Sequence, residues 1–225
     1  VWYFYWARFL SYSQIGIFFS LLVILGLVAE IPTGYIADRY GRKQSVVGGT
    51  ILLFLGAVLM TSATSAVLLV LGVSVMSIGR AFISGALEAI VYDDLKSTGK
   101  HSHWDSLQST AIQISLVAYI LAVPIGGFLY NINFRLPNIL EVISMFLSIL
   151  MSLKLRDSSK QHQHLERKVK IRELLVGFRE LFSTRLAPYI LPAFMVISIF
   201  ELYDWGLSKP AMAVSFGLDS QGQSI

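Results

Sequence analysis

Residues 34–43 read Gly34-Tyr35-Ile36-Ala37-Asp38-Arg39-Tyr40-Gly41-Arg42-Lys43 and close a long apolar run. The run predicts a helix, which places Asp38 at a helix C-terminus, where the macrodipole already concentrates negative charge. Basic side chains are favourable at that end, but an acid is not. We therefore expect Asp38 to cap the N-terminus of another helix or to pair with a base. Gly34 lies one turn earlier on the same face, where it would let a second helix approach closely.

The composition is typical of a membrane protein. Hydrophobic residues make up 55% of the 225 residues and charged residues 14%, whereas soluble domains carry about 25% charged residues. The mean hydropathy is +0.64. No cysteine is present, so neither a disulfide framework nor a thiolate metal site can form. The net charge of +4 does not indicate a nucleic-acid partner, because the bases lie in short loops between apolar segments.

Apolar segments of about 20 residues recur along the chain and predict transmembrane helices. The aromatic stretch VWYFYW at 1–6 is typical of a helix end at the membrane interface, and we interpret it as the far end of a truncated first helix. Further helices are predicted at about 15–37, 46–61, 67–92, 107–130, 139–153 and 186–207. The predicted fold class is an all-α membrane protein with about six to seven transmembrane helices.

The basic residues determine the predicted orientation. Most of the 18 Lys and Arg follow the second or the fourth helix or lie in the long polar segment 154–185. The positive-inside rule makes these loops cytoplasmic and indicates a multi-pass protein of the cell membrane. Residues 165–182 alternate Leu, Val and Ile with Lys, Arg and Glu, which predicts an amphipathic helix that contacts anionic lipid at the cytoplasmic face.

Residues 34–43 resemble motif A of the major facilitator superfamily, G-x-x-x-D-R-x-G-R-[KR]. The specified positions are all matched, by Gly34, Asp38, Arg39, Gly41, Arg42 and Lys43. With Glu30, Ile31 and Pro32 in front, the stretch is similar to the E-I-P-T-G-x-x-A-D-R form of poorly characterised prokaryotic members. The resemblance implies a bundle of twelve transmembrane helices that transports by alternating access. It also implies that these six motif residues form a cytoplasmic gate, in which an acid at the end of the fourth helix, Asp93 or Asp94, pairs with Arg42.

The resemblance also implies a domain organisation in two halves. Residues 1–155 would form the N-terminal six-helix half, residues 156–185 a cytoplasmic linker, and residues 186–225 the start of the C-terminal half. A weak internal repeat agrees with duplicated halves, which are typical of transporters. It matches Phe9, Ser13 and Gln14 with Phe216, Ser220 and Gln221.

Charged residues inside the predicted helices are candidates for a substrate or proton cavity. A charge within a span costs roughly 2.5–3.5 kcal/mol and usually faces a protein interior or a wet cavity. Arg80 and Glu88 would lie about 80° apart on one helix and line one broad face. Either the acid loads a proton or cation beside Arg80, or a buried ion pair holds helices together. We expect a gate or structural role for Glu30 and hydration at the outer interface for Glu201 and Asp204.

The fourth and fifth helices contain small residues and one proline. A ridge of small residues that favours close helix contact is predicted at Ala81, Gly85 and Ala89. Pro124 is expected to bend the fifth helix, with Gly126 and Gly127 allowing the bend or a close approach. This stretch resembles the G-P-x-x-G-G of proton-coupled antiporters of the superfamily, but one residue is missing and Val123 replaces the first glycine. It therefore does not specify drug/proton antiport, and antiport and symport both stay open. In the same helix Gln108 and Gln113 either contact a polar substrate or hydrogen-bond across helices, and we favour hydrogen bonding.

No residue pattern indicates an enzyme. The histidine pairs His101/His103 and His162/His164 lie in loops without a convergent carboxylate set, so we predict no metal and no cofactor. The expected function is secondary active transport of a small solute, uptake or efflux, by a monomer that uses protons or Na+ as candidate coupling ions. The alternatives are a membrane-embedded sensor or enzyme, and a truncated fragment that does not transport.

Overall fold

The computed structural model describes residues 1–155 and the isolated helical positions 188, 192 and 196. Residues 1–155 lie in one compact unit, and every regular element in this range is helical. The predicted helices at 165–182 and 186–207, together with Glu201 and Asp204, lie outside the described residues.

The helices follow one another with short connections. In chain order they are α1 (Trp2–Trp6), α2 (Tyr12–Tyr40), α3 (Arg42–Thr61), α4 (Ala66–Ile83), α5 (Ala86–Ser97), α6 (Trp104–Ile132) and α7 (Leu136–Leu153). Within residues 1–155, five segments are long and apolar enough to cross a membrane: α2, α3, α4 together with α5, residues 101–132, and α7. The predicted all-α membrane fold class is confirmed.

Local sequence explains where several of these helices begin. At α2 the Ser11 hydroxyl accepts from the Gln14 N–H at 3.4 Å and the Gln14 side chain accepts from the Ser11 N–H at 2.8 Å, which is a capping box. Ser65 caps α4 through the N–H of Leu68. Pro137 occupies the first turn of α7, where a missing N–H costs nothing.

The segment predicted as the fourth span at 67–92 lies in one candidate membrane span, 66–97, but the prediction of an uninterrupted helix is wrong, because this span consists of α4 and α5. The backbone leaves the helical conformation at Ser84 (φ −51°, ψ 131°) and Gly85 (φ 69°, ψ −39°) before α5 begins. Because the helix is interrupted between Arg80 and Glu88, the predicted angle between them does not hold. The predicted ridge of Ala81, Gly85 and Ala89 is divided for the same reason.

Glycines bring α3 and α4 into backbone contact along what we call the glycine seam: Gly49, Gly56, Gly72 and Gly79. A Cβ at Gly56 would lie 2.6 Å from the carbonyl oxygen of Gly72, and one at Gly49 would lie 2.7 Å from that of Gly79. The two pairs are seven residues apart on each helix, so they repeat along antiparallel helices after two turns. Small residues promote such approach between helices in lipid, where packing replaces the hydrophobic effect.

The ends of the bundle differ in character. Arg42 of α3 contacts Asp93 of α5, and Leu155 packs near Ala37 and Val46, so the chain after α2, α5 and α7 lies at one end. We call this the basic end. The turns after α1, α3 and α6 lie at the opposite end, which we call the far end.

The far end is held together by an aromatic and polar cluster. The Tyr5 hydroxyl donates to the carbonyl of Met60 at 2.6 Å, and the Tyr5 ring stacks on Phe134 with 6.0 Å between centroids. The Arg8 guanidinium lies 4.0 Å from the centre of the Phe134 ring. Arg135 donates to the carbonyl of Ala63 at 3.3 Å. These contacts join α1, the α3–α4 turn and the α6–α7 turn.

We expect Tyr5→Phe to lower stability by about 1 kcal/mol, the net contribution of a typical hydrogen bond, because the Met60 carbonyl loses a buried donor. Tyr5 is only 1% exposed, so water cannot replace the hydroxyl. The measurement is the thermal unfolding midpoint in detergent. Tyr12→Phe is the matched control, since Tyr12 is 52% exposed. Equal unfolding midpoints for the two variants would contradict a stabilising role for the Tyr5 hydrogen bond.

Candidate functional site

A single residue, Gly41, separates α2 from α3. Its φ of 107° with ψ of 141° is a conformation that only glycine adopts without strain. The Gly41 N–H donates to the carbonyl of Ala37 at 3.0 Å, and the Gly41 carbonyl accepts from the N–H of Ser45 at 3.1 Å. This turn makes Arg42 the first residue of α3 and places it at the basic end.

Arg42 contacts α5 through one nitrogen. Its Nη1 donates to Oδ2 of Asp93 and, at 3.4 Å, to the carbonyl of Ala89, one turn earlier on α5. The Arg42 and Asp93 side chains are 31% and 37% exposed, so the ion pair is partly shielded from water. Asp94 is exposed and makes no ion pair in the part of the chain that the structure describes. Of the two acids left open by the sequence, Asp93 contacts Arg42.

An apolar cluster lies at the same end as this ion pair. Its buried members are Ala37 of α2, Val46 of α3, and Ala86 and Ile90 of α5. Leu155 packs against them. Helices α2, α3 and α5 therefore meet through apolar contacts where Arg42 and Asp93 join α3 to α5. Separating α5 would break the ion pair and expose these side chains together.

The remaining residues of the motif make fewer contacts. Arg39 donates to the Tyr35 hydroxyl at 2.8 Å, one turn back on α2. Asp38 is exposed and Lys43 half-buried, and within residues 1–155 neither makes an ion pair. A Cβ built on Gly34 would meet nothing within 4 Å, so no described helix approaches it closely.

Two buried hydroxyls contact the last turn of α4. The Thr33 hydroxyl of α2 lies 3.0 Å from the carbonyl oxygen of Ala81, and the Ser45 hydroxyl of α3 donates to the carbonyl of Phe82 at 2.8 Å. The last carbonyls of any helix lack an intrahelical donor. Here the side chains of α2 and α3 supply those donors.

Most of the predicted cavity residues are exposed in the described part of the chain. The exposed candidates are Arg80, Glu88, Glu30 and Gln113. Glu88 lies in the first turn of α5, where the helix macrodipole favours an acid, so its placement has a local structural reason. Glu201 lies outside the described residues.

The proline and glycines of the fifth predicted span lie on α6. This helix continues without interruption from Trp104 to Ile132, through Pro124. Gly127 is its buried residue, and a Cβ on Gly126 would lie 3.5 Å from the Val1 side chain. Bending at Pro124 stays a prediction.

A family model described as Major Facilitator Superfamily matches residues 4–224. The chain belongs to this superfamily.

Curated relatives are similar to this superfamily chain at low identity. The uncharacterized MFS-type transporter YxaM of Bacillus subtilis (strain 168) is 24% identical over 225 residues, covering 92% of this chain and 55% of the relative. Multidrug resistance protein 1 of the same organism is 26% identical over 193 residues, covering 84% of this chain and 46% of the relative. Solute carrier family 2, facilitated glucose transporter member 10, of Danio rerio is 28% identical over 136 residues, covering 57% and 26%.

The chain spans about half the length of YxaM and of multidrug resistance protein 1. No solved structure gives a significant match.

The described part of this superfamily member holds no group of three or more His, Asp or Glu that could bind a metal ion. His101 and His103 are exposed in the short turn before α6.

Sequence reasoning missed one charged residue of the superfamily chain. Glu141 of α7 is half-buried within a candidate membrane span. A systematic search for acids within the predicted span 139–153 would have found it. Its partial burial could not be read from the sequence, because it depends on how α7 packs against the other helices.

Proposed function

We propose that the protein containing this chain is a secondary active transporter of a small solute that works by alternating access. In this proposal the basic end is cytoplasmic, and the contact of Arg42 with Asp93 and Ala89 forms a latch that holds this side closed. The observation that carries the proposal is that one motif arginine joins α3 to α5 at the end of the bundle where an apolar cluster also joins these helices. Such a contact is partly exposed, and its loss costs little enough to be reversible in each cycle.

The names of the relatives support transport but not a substrate class. One is called a multidrug resistance protein and another a facilitated glucose transporter, so their cargoes differ. We propose Glu141 as a place where a coupling cation would act, because an acid within a span usually faces a protein interior or a wet cavity.

The test is a solute screen with the whole protein reconstituted in liposomes, with and without a proton or Na+ gradient. Accumulation of a solute that collapses when the gradient is removed supports secondary active transport. Binding of a solute without flux in either direction, in correctly inserted protein, contradicts it and favours a sensor.

We expect Asp38→Asn to leave membrane insertion and stability unchanged and to reduce transport by about fivefold or more, the lower end of known coupling effects. Asp38 is exposed at the C-terminus of α2, an unfavourable position that suggests a partner formed only in one state of the cycle. Initial transport rates at equal protein density measure this.

The charge-retaining variant Asp38→Glu is the control and should keep most of the rate. Normal transport by Asp38→Asn would exclude Asp38 from a role in opening or closing the basic end.

A further inference from the structure

Two arginines at the far end lie against the same aromatic ring. The Arg8 guanidinium lies 4.0 Å from the centre of the Phe134 ring, and the Arg135 guanidinium lies 5.4 Å from it. The two positive charges are therefore within about 10 Å of each other, roughly the distance over which physiological salt screens charge. Within residues 1–155 neither arginine forms an ion pair with an acid. The two charges repel each other, and a bound anion would remove that repulsion.

Most hydrogen-bond donors of these guanidiniums are unused among the described residues. A guanidinium has five N–H donors. The Arg135 side chain donates to the Ala63 carbonyl through Nη2, while its Nε has no partner within residues 1–155. The Arg8 side chain makes no hydrogen bond in the same range. Phosphate oxygens are acceptors that a guanidinium binds in a favourable, often bidentate geometry.

Neighbouring polar atoms at the far end also lack partners. Three buried side-chain atoms in the described part of the chain have no hydrogen-bond partner: the Thr61 hydroxyl, the Asn138 amide nitrogen and Arg135 Nε. Thr61 ends α3 and Asn138 lies in the first turn of α7, so all three lie at the far end. The two nitrogens can only donate. This end of the bundle therefore has an excess of donors, which water or the oxygens of an anion can satisfy.

The two arginines lie where the spans leave the membrane. Phe134 and Arg135 occupy the connection between α6 and α7, and Arg8 precedes α2, which are all candidate spans or end one. The aromatic rings of Tyr5 and Phe134 beside them are typical of the membrane interface. The phosphate groups of phospholipids lie at this level.

An exposed apolar stripe on α7 begins beside Arg135. Ile139, Ile143 and Leu147 follow Arg135 at intervals of four residues, so each is the neighbour of the next along the helix surface. These three side chains are 42%, 49% and 51% exposed. An acyl chain can lie along this stripe while its headgroup phosphate contacts Arg135. A free phosphate ion would not contact these side chains, so the stripe favours a lipid as the source of the phosphate.

We propose that Arg8 and Arg135 form a binding site for the phosphate of an anionic phospholipid, with one acyl chain along Ile139, Ile143 and Leu147. Phe134 holds the two guanidiniums beside each other at the interface. A net negative charge distinguishes this lipid from a zwitterionic one, whose ammonium group opposes the charge of its phosphate. Lipid binding is measured without a transported solute, so this inference does not depend on the proposed function.

The experiment measures quenching of a fluorophore by doxyl-labelled lipid in the whole protein, reconstituted in phosphatidylcholine nanodiscs. The chain has no cysteine, so one substitution places the fluorophore once any cysteine elsewhere in the protein is removed. Leu140→Cys, next to the stripe, reports the far end, and Met151→Cys on the same helix reports the basic end. These residues are 46% and 66% exposed. Each labelled protein is titrated with phosphatidylglycerol or phosphatidylcholine that carries the doxyl group near the top of an acyl chain.

At Leu140 we expect half-maximal quenching at an about tenfold lower mole fraction of phosphatidylglycerol than of phosphatidylcholine, because each arginine near the surface favours anionic lipid by up to about fivefold. Arg8→Gln should reduce this preference about fivefold and leave quenching at Met151 unchanged. Arg8 is exposed and its side chain makes no hydrogen bond within residues 1–155, so the variant should fold normally. Arg8→Lys keeps the charge and should keep most of the preference.

Lys100→Gln is the matched control, since it removes the same charge from an exposed residue at the basic end. It should leave the preference at Leu140 unchanged. Equal quenching by the two lipids at Leu140, or equal effects of Arg8→Gln and Lys100→Gln there, would overturn the site.

Inorganic phosphate distinguishes a lipid from a free anion. Added at constant ionic strength, it should leave the quenching by phosphatidylglycerol at Leu140 unchanged. Full relief of this quenching by millimolar phosphate would show that the two arginines take the free ion, and would overturn the assignment to a lipid.

Discussion

Replacing Gly56 with alanine is expected to lower the stability of the bundle by about 1–3 kcal/mol, the usual cost of overpacking. The added methyl would lie 2.5 Å from Cγ of Met76, 2.6 Å from the carbonyl oxygen of Gly72 and 2.8 Å from the N–H nitrogen of Met76. Two of these atoms belong to the backbone and cannot rotate away. The helices α3 and α4 must therefore separate, and the glycine seam loses contacts along its length.

The matched control for Gly56 lies on the same helix. Gly48→Ala adds the same methyl to α3, but nothing lies within 4 Å of it. Alanine has a higher helix propensity than glycine by about 1 kcal/mol, so this control should be neutral or stabilising. Thermal midpoints and monodispersity in detergent compare the variants. If Gly56→Ala and Gly48→Ala have the same thermal midpoint, α3 and α4 do not pack together through the glycine seam.

Replacing Asp93 with asparagine is expected to reduce transport about tenfold, which corresponds to roughly 1.4 kcal/mol. The change removes the charge that faces Arg42 while keeping the size of the side chain. Because the pair is partly exposed, global stability should change by less than about 1 kcal/mol. The expected signature is thus a transport defect in a protein that inserts and unfolds normally.

Asp94→Asn is the control for Asp93, since it removes the same charge from the adjacent, exposed residue. It should transport at close to the normal rate. The exchange Arg42→Asp with Asp93→Arg should recover part of the loss, as a double-mutant cycle would show for a direct pair. Equal losses of transport rate for Asp93→Asn and Asp94→Asn would mean that transport depends on the total negative charge of α5 and not on this ion pair.

The sequence by itself determined the features that depend on composition and on neighbours in the chain. In lipid, the backbone N–H and C=O groups of a long apolar segment must hydrogen-bond within the protein, which a helix allows. The spans and the all-α class could therefore be predicted from hydropathy. The residues of the motif at 34–43 identified the superfamily, because their spacing is a property of the chain alone.

Only the tertiary structure decided which side chains meet. Asp93 and Asp94 point about 100° apart on α5, and nothing local says which side faces Arg42. The pairing of Gly56 with Gly72 depends on the register of α3 against α4, and the partial burial of Glu141 depends on the placement of α7. The interruption at Ser84–Gly85 was missed because a glycine is also tolerated inside a helix at modest cost. It is stabilised here by hydroxyls from Thr33 and Ser45, which are distant in sequence. Within residues 34–43, the fold therefore decides that Arg42 pairs with Asp93. The sequence alone places Asp38 at the C-terminus of a helix, and within residues 1–155 Asp38 makes no ion pair.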